Sequence, residues 1–140
     1  MTTKTDSNTD LTDFARRWWE AFERIDVDTL TSLAAEDIVL RASGRSRWAG
    51  EYHGKELLLG WWGDLMADYP NQRYQLDDTL VGSDHVAYLV RLNIERDGRH
   101  VEDNSTWILR VCSGVIVEHW IRDGDQYAMD EFFANFDNAH

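Results

Sequence analysis

The chain is short of cysteine, proline and positive charge: it has one Cys and one Pro in 140 residues, and 14 Lys plus Arg against 26 Asp plus Glu. A single thiol cannot close an internal disulfide, so packing must hold the fold and a reducing compartment suffices. Cys112 lies among strand-forming residues with no charge pattern that would activate it, and reads as a small buried thiol. The formal charge of -12 repels polyanions, which argues against nucleic acid or an anionic membrane as partner. No apolar run approaches the roughly 18 residues of a membrane span, and Met1 to Asp10 lacks the apolar centre of a signal peptide. Residues 1–10 are therefore expected to be a disordered tail, and residues 11–140 one domain of a cytoplasmic protein. His53, His85, His100, His119 and His140 show no ligand spacing and only one Cys could assist them, so no metal is expected. Nucleophile elbow, phosphate loop and dinucleotide fingerprint are all absent, so no cofactor is expected.

Aromatic rings, by contrast, are abundant. Seven Trp, five Tyr and five Phe exceed what closing so small a core requires, and an internal aromatic pocket is the leading hypothesis. Leu11, Phe14, Trp18, Phe22 and Ile25 recur at helical spacing, with Asp10 placed to cap the helix. A short helix follows, capped by Asp26 or Asp28, with Val27, Leu30, Leu33 and Ala34 as its stripe. Ile38 to Leu40 reads as a brief strand, and Arg41 to Gly54 as a glycine-punctuated loop presenting Trp48 and Tyr52. A third helix spans about Lys55 to Tyr69 and stops at Pro70. Beyond it the period changes to strands over Tyr74–Val81, His85–Arg96, His100–Cys112 and Val115–Arg122. Asp97-Gly98 and Ser113-Gly114 serve as hairpin turns, and Tyr127–Phe136 suits a closing helix. This order is α+β, and helices laid on the concave face of a curved antiparallel sheet would enclose a cavity.

Several segments resemble one family. His119-Trp120-Ile121, Asp125-Gln126-Tyr127 with Asp130-Glu131-Phe132-Phe133, Ile25-Asp26-Val27-Asp28, Ala35-Glu36-Asp37-Ile38-Val39 and Ala49-Gly50-Glu51-Tyr52-His53-Gly54 look like the SnoaL-like branch of the nuclear transport factor 2-like superfamily, over roughly residues 11–136. The resemblance implies a cone-shaped α+β barrel, its three N-terminal helices over the concave face, with a deep pocket and a homodimer formed through the outer sheet face. Relatives include ketosteroid isomerases, polyketide cyclases, epoxide hydrolases, dehydratases and proteins with no chemistry assigned. Laid on the isomerase pattern, Trp18 stands at the oxyanion-hole Tyr, Ala42 at the proton-shuttling Asp and Trp107 at or beside the protonated Asp. All three functional groups are missing, which excludes that arrangement for moving a proton from carbon.

Val115, Val117, His119, Ile121, Asp123 and Asp125 share one strand phase, which the resemblance turns toward the cavity. In the cyclases and epoxide hydrolases an aspartate from the later strands acts as acid or base. The implied site is His119 with Asp125, and Asp123 as the substitute. A core or interface histidine and a plain surface turn at Asp123-Gly124-Asp125 are the competing reading. That turn lacks the other oxygens of a calcium loop. Trp18, Phe22, Trp61, Trp62, Tyr88 and Trp107 point inward and either fill the core or line a ligand space, whereas Trp48 and Tyr52 would border its mouth. The expectation is cofactor-independent acid-base chemistry of cyclase, isomerase, lyase or epoxide hydrolase type on a neutral hydrophobic molecule. The alternatives are a non-catalytic ligand-binding or interaction module, and a structural dimer whose rings fill the interior.

Overall fold

A computed structural model describes residues 3–137 of the chain, with side chains described over residues 11–136. The elements run α1 (Thr3–Arg24), α2 (Val27–Ser32), β1 (Ala34–Ala42), β2 (Gly50–His53), α3 (Lys55–Asp68), β3 (Asn71–Val81), β4 (His85–Arg96), β5 (Arg99–Cys112), β6 (Val115–Arg122) and α4 (Gln126–Asp137). One curved, unclosed six-stranded sheet has the order β2-β1-β6-β5-β4-β3. The expected antiparallel arrangement holds for every pair except one: β1 lies parallel to β6. That pairing joins the first strand to the last and carries the chain across the sheet.

α1 begins at Thr3, so Asp10 lies inside the helix rather than at its cap, and the helix occupies most of the segment expected to be a tail. Once an amphipathic stretch has nucleated, adding polar residues to its end costs little per residue. The buried stripe is wider than the sequence period suggests, with Ala15, Trp19 and Ala21 joining Leu11, Phe14 and Trp18. Ile25 drops out of it. The Ile25 amide bonds to Phe22 O and the Asp26 amide to Ala21 O, at 3.1 and 2.8 Å, which is the double closure of a Schellman end. This puts Ile25 at φ 55° and leaves it 57% exposed. Asp26, one of the two expected caps, closes the start of α2 by accepting from the Thr29 amide and hydroxyl.

The hairpin turns fall where the dipeptides place them. Asp97 and Gly98, and again Ser113 and Gly114, all have positive φ, the backbone of a type I′ turn whose twist matches the strands it joins. Cys112, expected to be buried, is exposed because its strand ends at such a turn. One apolar cluster gathers α1 against Val86, Tyr88, Val90, Trp107 and Leu109 of β4 and β5. A second packs Met129, Phe132, Phe133 and Phe136 of α4 around Tyr69, Trp48, Leu92 and Ile94. Between these clusters the interior is open.

β6 has a bulge that sets which of its residues look inward. Arg110 pairs with Glu118 but the next residue, Val111, pairs with Ile116, so Val117 is an extra residue. Ile116 rather than Val115 or Val117 enters the core, and the phase shifts so that His119, Ile121 and Asp123 face inward while Glu118 turns out to Arg41 and Arg110.

Candidate active site

A cavity of about 150 Å³ opens among α1, α3, β1, β6 and α4. Its wall is mostly rings and aliphatic chains, as expected for Trp18, Phe22, Trp48, Trp61, Trp62 and Trp107, all of which line it. Two expected wall residues do not. Tyr88 is fully buried behind Trp18 and donates its hydroxyl to Ala15 O at 2.7 Å. Its inward phase is right, but α1 covers it, and burial raises its phenol pKa. Tyr52 belongs to β2 rather than to a loop, and its hydroxyl lies 3.1 Å from Ala49 O and 3.2 Å from Trp48 O. It braces the mouth segment from outside.

His119 and Asp123 both line the cavity, four residues apart and so in the same alternation phase, with Asp123 just past the end of β6. Along a strand that separation is about 13 Å, and among the described residues no hydrogen bond joins the pair. The His119 ring meets the edge of Trp18 at 5.7 Å between centroids. It keeps some accessible surface on the cavity side, yet Nε2 is buried with no hydrogen-bond partner. Desolvation pushes its pKa down to about 4, so the imidazole is neutral at physiological pH.

Asp123 moves in the opposite direction. Burial is the main cause that raises its carboxyl pKa to about 6; a hydrogen bond from Gln126 opposes this, and the charges of Asp103 and Asp130 add to it. Both ends of the residue are held. Gln126 Nε2 donates to Asp123 Oδ2 at 2.9 Å and to Asp130 Oδ1 at 3.1 Å. Ser43 Oγ accepts from the Asp123 amide at 3.2 Å and donates to Gln126 Oε1 at 2.6 Å.

Asp125, the first-choice partner for His119, is corrected by the structure. It is exposed and caps α4 by accepting from the Ala128 amide at 3.1 Å. The strand phase does not reach it, because β6 stops at Arg122 and the turn is drawn toward β5. Asp103, only 6% exposed, accepts from the Gly124 and Asp125 amides at 2.9 and 2.8 Å. Gly124 is needed there, since a Cβ would sit 2.2 Å from Asn104 O.

Sequence reasoning missed Ser43, Gln126, Asp103 and the α4 wall residues Met129 and Phe133. Only the last two had a visible signal, their four-residue spacing. Trp18, Ala42 and Trp107 all reach the cavity wall and bring no carboxyl or phenol to it, while Trp107 donates its Nε1 proton to Ser105 Oγ at 3.1 Å. Among the described residues no cluster of three or more His, Cys, Asp or Glu could hold a metal ion, and no helix is long and apolar enough to cross a membrane.

Comparison with known proteins agrees with this architecture. The structure of Bal32a, from a soil-derived mobile gene cassette, superposes with a TM-score of 0.84 at 26% identity, covering 91% of this chain and 98% of that one. Wild-type IdmH from Streptomyces antibioticus, a proposed polyketide cyclase, gives 0.67 at 28% identity, covering 84% and 94%. RV0760c from Mycobacterium tuberculosis, solved in complex with estradiol-17β-hemisuccinate, shares the fold with a TM-score of 0.66 at 20% identity, covering 79% and 91%. No curated protein matches the chain. The model of the SnoaL-like domain matches residues 15–119, three quarters of the sequence, and the chain belongs to that family.

Proposed function

We propose that the protein is a cofactor-independent acid-base enzyme acting on a neutral, hydrophobic small molecule held in the aromatic cavity. One observation carries this reading: on a wall that is otherwise almost wholly apolar, His119 of β6 and Asp123 just past its end both face the cavity, and among the described residues no hydrogen bond joins them. An elongated substrate spanning the gap of about 13 Å would touch both. A carboxyl with a pKa near 6 exchanges a proton readily close to neutrality. The neutral imidazole can donate or accept a hydrogen bond at a developing oxygen charge without first losing a proton. This division suits a ring closure, a dehydration or an epoxide opening, each of which moves a proton beside an oxygen. The relationship to a proposed polyketide cyclase and the steroid ester bound by another structural relative support an oxygenated polycyclic substrate. The outward sheet face, where Ala87, Ile108 and Trp120 are paired across β4, β5 and β6 and only half-buried, supports association of two copies.

The test is turnover of a panel of neutral poly-β-ketone, epoxide and β-hydroxyketone substrates, followed by mass spectrometry. The reading expects a product whose rate rises through a limb near pH 6 and is lost in Asp123→Asn. Turnover that survives this substitution refutes the role of Asp123; tight binding with no turnover favours a ligand-binding module.

A further inference from the structure

We infer that Trp48 recognises a neutral acceptor oxygen on the ligand, so that the cavity selects ketones, lactones or ethers over hydrocarbons of the same shape. The inference rests on the reading of the cavity as a small-molecule site and adds to it the chemistry that the molecule must carry. Trp48 is 6% exposed and forms part of the wall. Its Nε1 is buried and has no hydrogen-bond partner. Other indoles on the wall have found protein acceptors: Trp61 donates to Trp48 O at 2.9 Å and Trp107 to Ser105 Oγ. An indole N–H can only donate, so whatever satisfies Trp48 must accept. Leaving such a donor buried and unpaired is unfavourable, and an acceptor oxygen on the ligand would remove that penalty.

Trp48 is also held in place before any ligand arrives. Its amide donates to Ser46 Oγ at 3.2 Å, its carbonyl accepts from Trp61, and the Arg47 guanidinium lies 4.3 Å from its ring centroid. A fixed donor loses little conformational freedom on binding. The oxygen should be neutral. Among the described residues Lys55 is the only Lys or Arg on the wall, it is already paired with Glu36 at 3.5 Å, and Asp123 shares the same space. His119 Nε2 is likewise without a partner, but a neutral imidazole can present either a donor or an acceptor and so discriminates less.

The experiment uses the full chain and two probes of matched shape, 1-tetralone and tetralin, titrated by calorimetry. The quantity read is the ratio of their dissociation constants, which cancels the general effect of cavity size. Trp48→Phe, which keeps a ring and removes the N–H, should cut the preference for the ketone about tenfold relative to the unaltered protein. A ratio untouched by Trp48→Phe overturns the assignment while the cavity reading stands. Failure of the unaltered protein to bind either probe overturns both. Should Trp48→Phe not fold, the assigned Trp48 indole N–H resonance in the unaltered protein is the second measurement: tetralone should shift it downfield and tetralin should not, and equal shifts would refute the assignment.

Discussion

Asp123→Asn should make the protein more stable at neutral pH, and the gain should vanish in acid. In the fold the carboxyl titrates near 6, against an ordinary value of 3.8. The folded state therefore holds this proton more tightly than the unfolded chain does, and stability falls as pH rises from about 4 through 6. At about 1.4 kcal/mol per pH unit the gap amounts to about 3 kcal/mol when fully ionised. Asp123 is only partly buried, so solvent screening reduces the expected gain to about 1–2 kcal/mol. Asn can still accept from Gln126 through its amide oxygen, so the bond at 2.9 Å has a close replacement while the ionisation penalty is gone. Urea unfolding of both proteins between pH 4 and pH 8 measures the effect. The two curves should nearly coincide at pH 4 and separate by about 1–2 kcal/mol at pH 8, with the variant the more stable. A difference independent of pH, or a variant less stable at pH 8, would show that Asp123 ionises without penalty and would remove the physical basis for its proposed role.

Three further outcomes follow from particular contacts. Asp103→Asn should cost about 2–3 kcal/mol in the same assay, because an amide can accept from only one of the two backbone N–H groups now shared by Asp103. A loss below about 0.5 kcal/mol would mean that the turn after β6 is held by something else. Ile25→Gly should raise the midpoint of thermal unfolding by a few degrees, worth about 1 kcal/mol, since an exposed β-branched residue at φ 55° gives way to one without the Cβ penalty. A lower midpoint would count against strain at that helix end. Ile108→Glu, read by sedimentation across a concentration series, should convert a dimer to monomer, and no change in mass would refute association through the outer sheet face.

What could be read directly from the chain was what depends on near neighbours. The Asp97-Gly98 and Ser113-Gly114 turns show plainly because two adjacent residues with positive φ leave few sequence solutions. The same locality exposed much of the aromatic wall, through the stripe of α1 and the helical span that carries Trp61 and Trp62. β2 stayed hidden within a supposed loop: its four residues are mostly exposed, and it exists as a strand because Leu40 and Arg41 offer it pairing partners. The parallel union of β1 and β6 is likewise a long-range choice that no window of residues displays.

The site divides along the same line, and the division identifies what builds it. Alternation along β6 sufficed to place His119 and Asp123 together, since both lie past the bulge at Val117 and share one phase. Alternation then misled at Asp125, because the strand had ended and its continuation is governed by Asp103 on β5, more than twenty residues earlier in the chain. Ser43, which holds the Asp123 amide, comes from just past the end of β1. Asp123 is thus fixed by residues from three separate elements, with Gln126 gripping its carboxylate from the start of α4. Such convergence on a half-buried carboxyl is costly, since an Asn or Thr at position 123 would close the same turn without an ionisation penalty. That two segments far apart in sequence are committed to orienting this one group argues that its proton, rather than the turn it sits in, is what the arrangement serves.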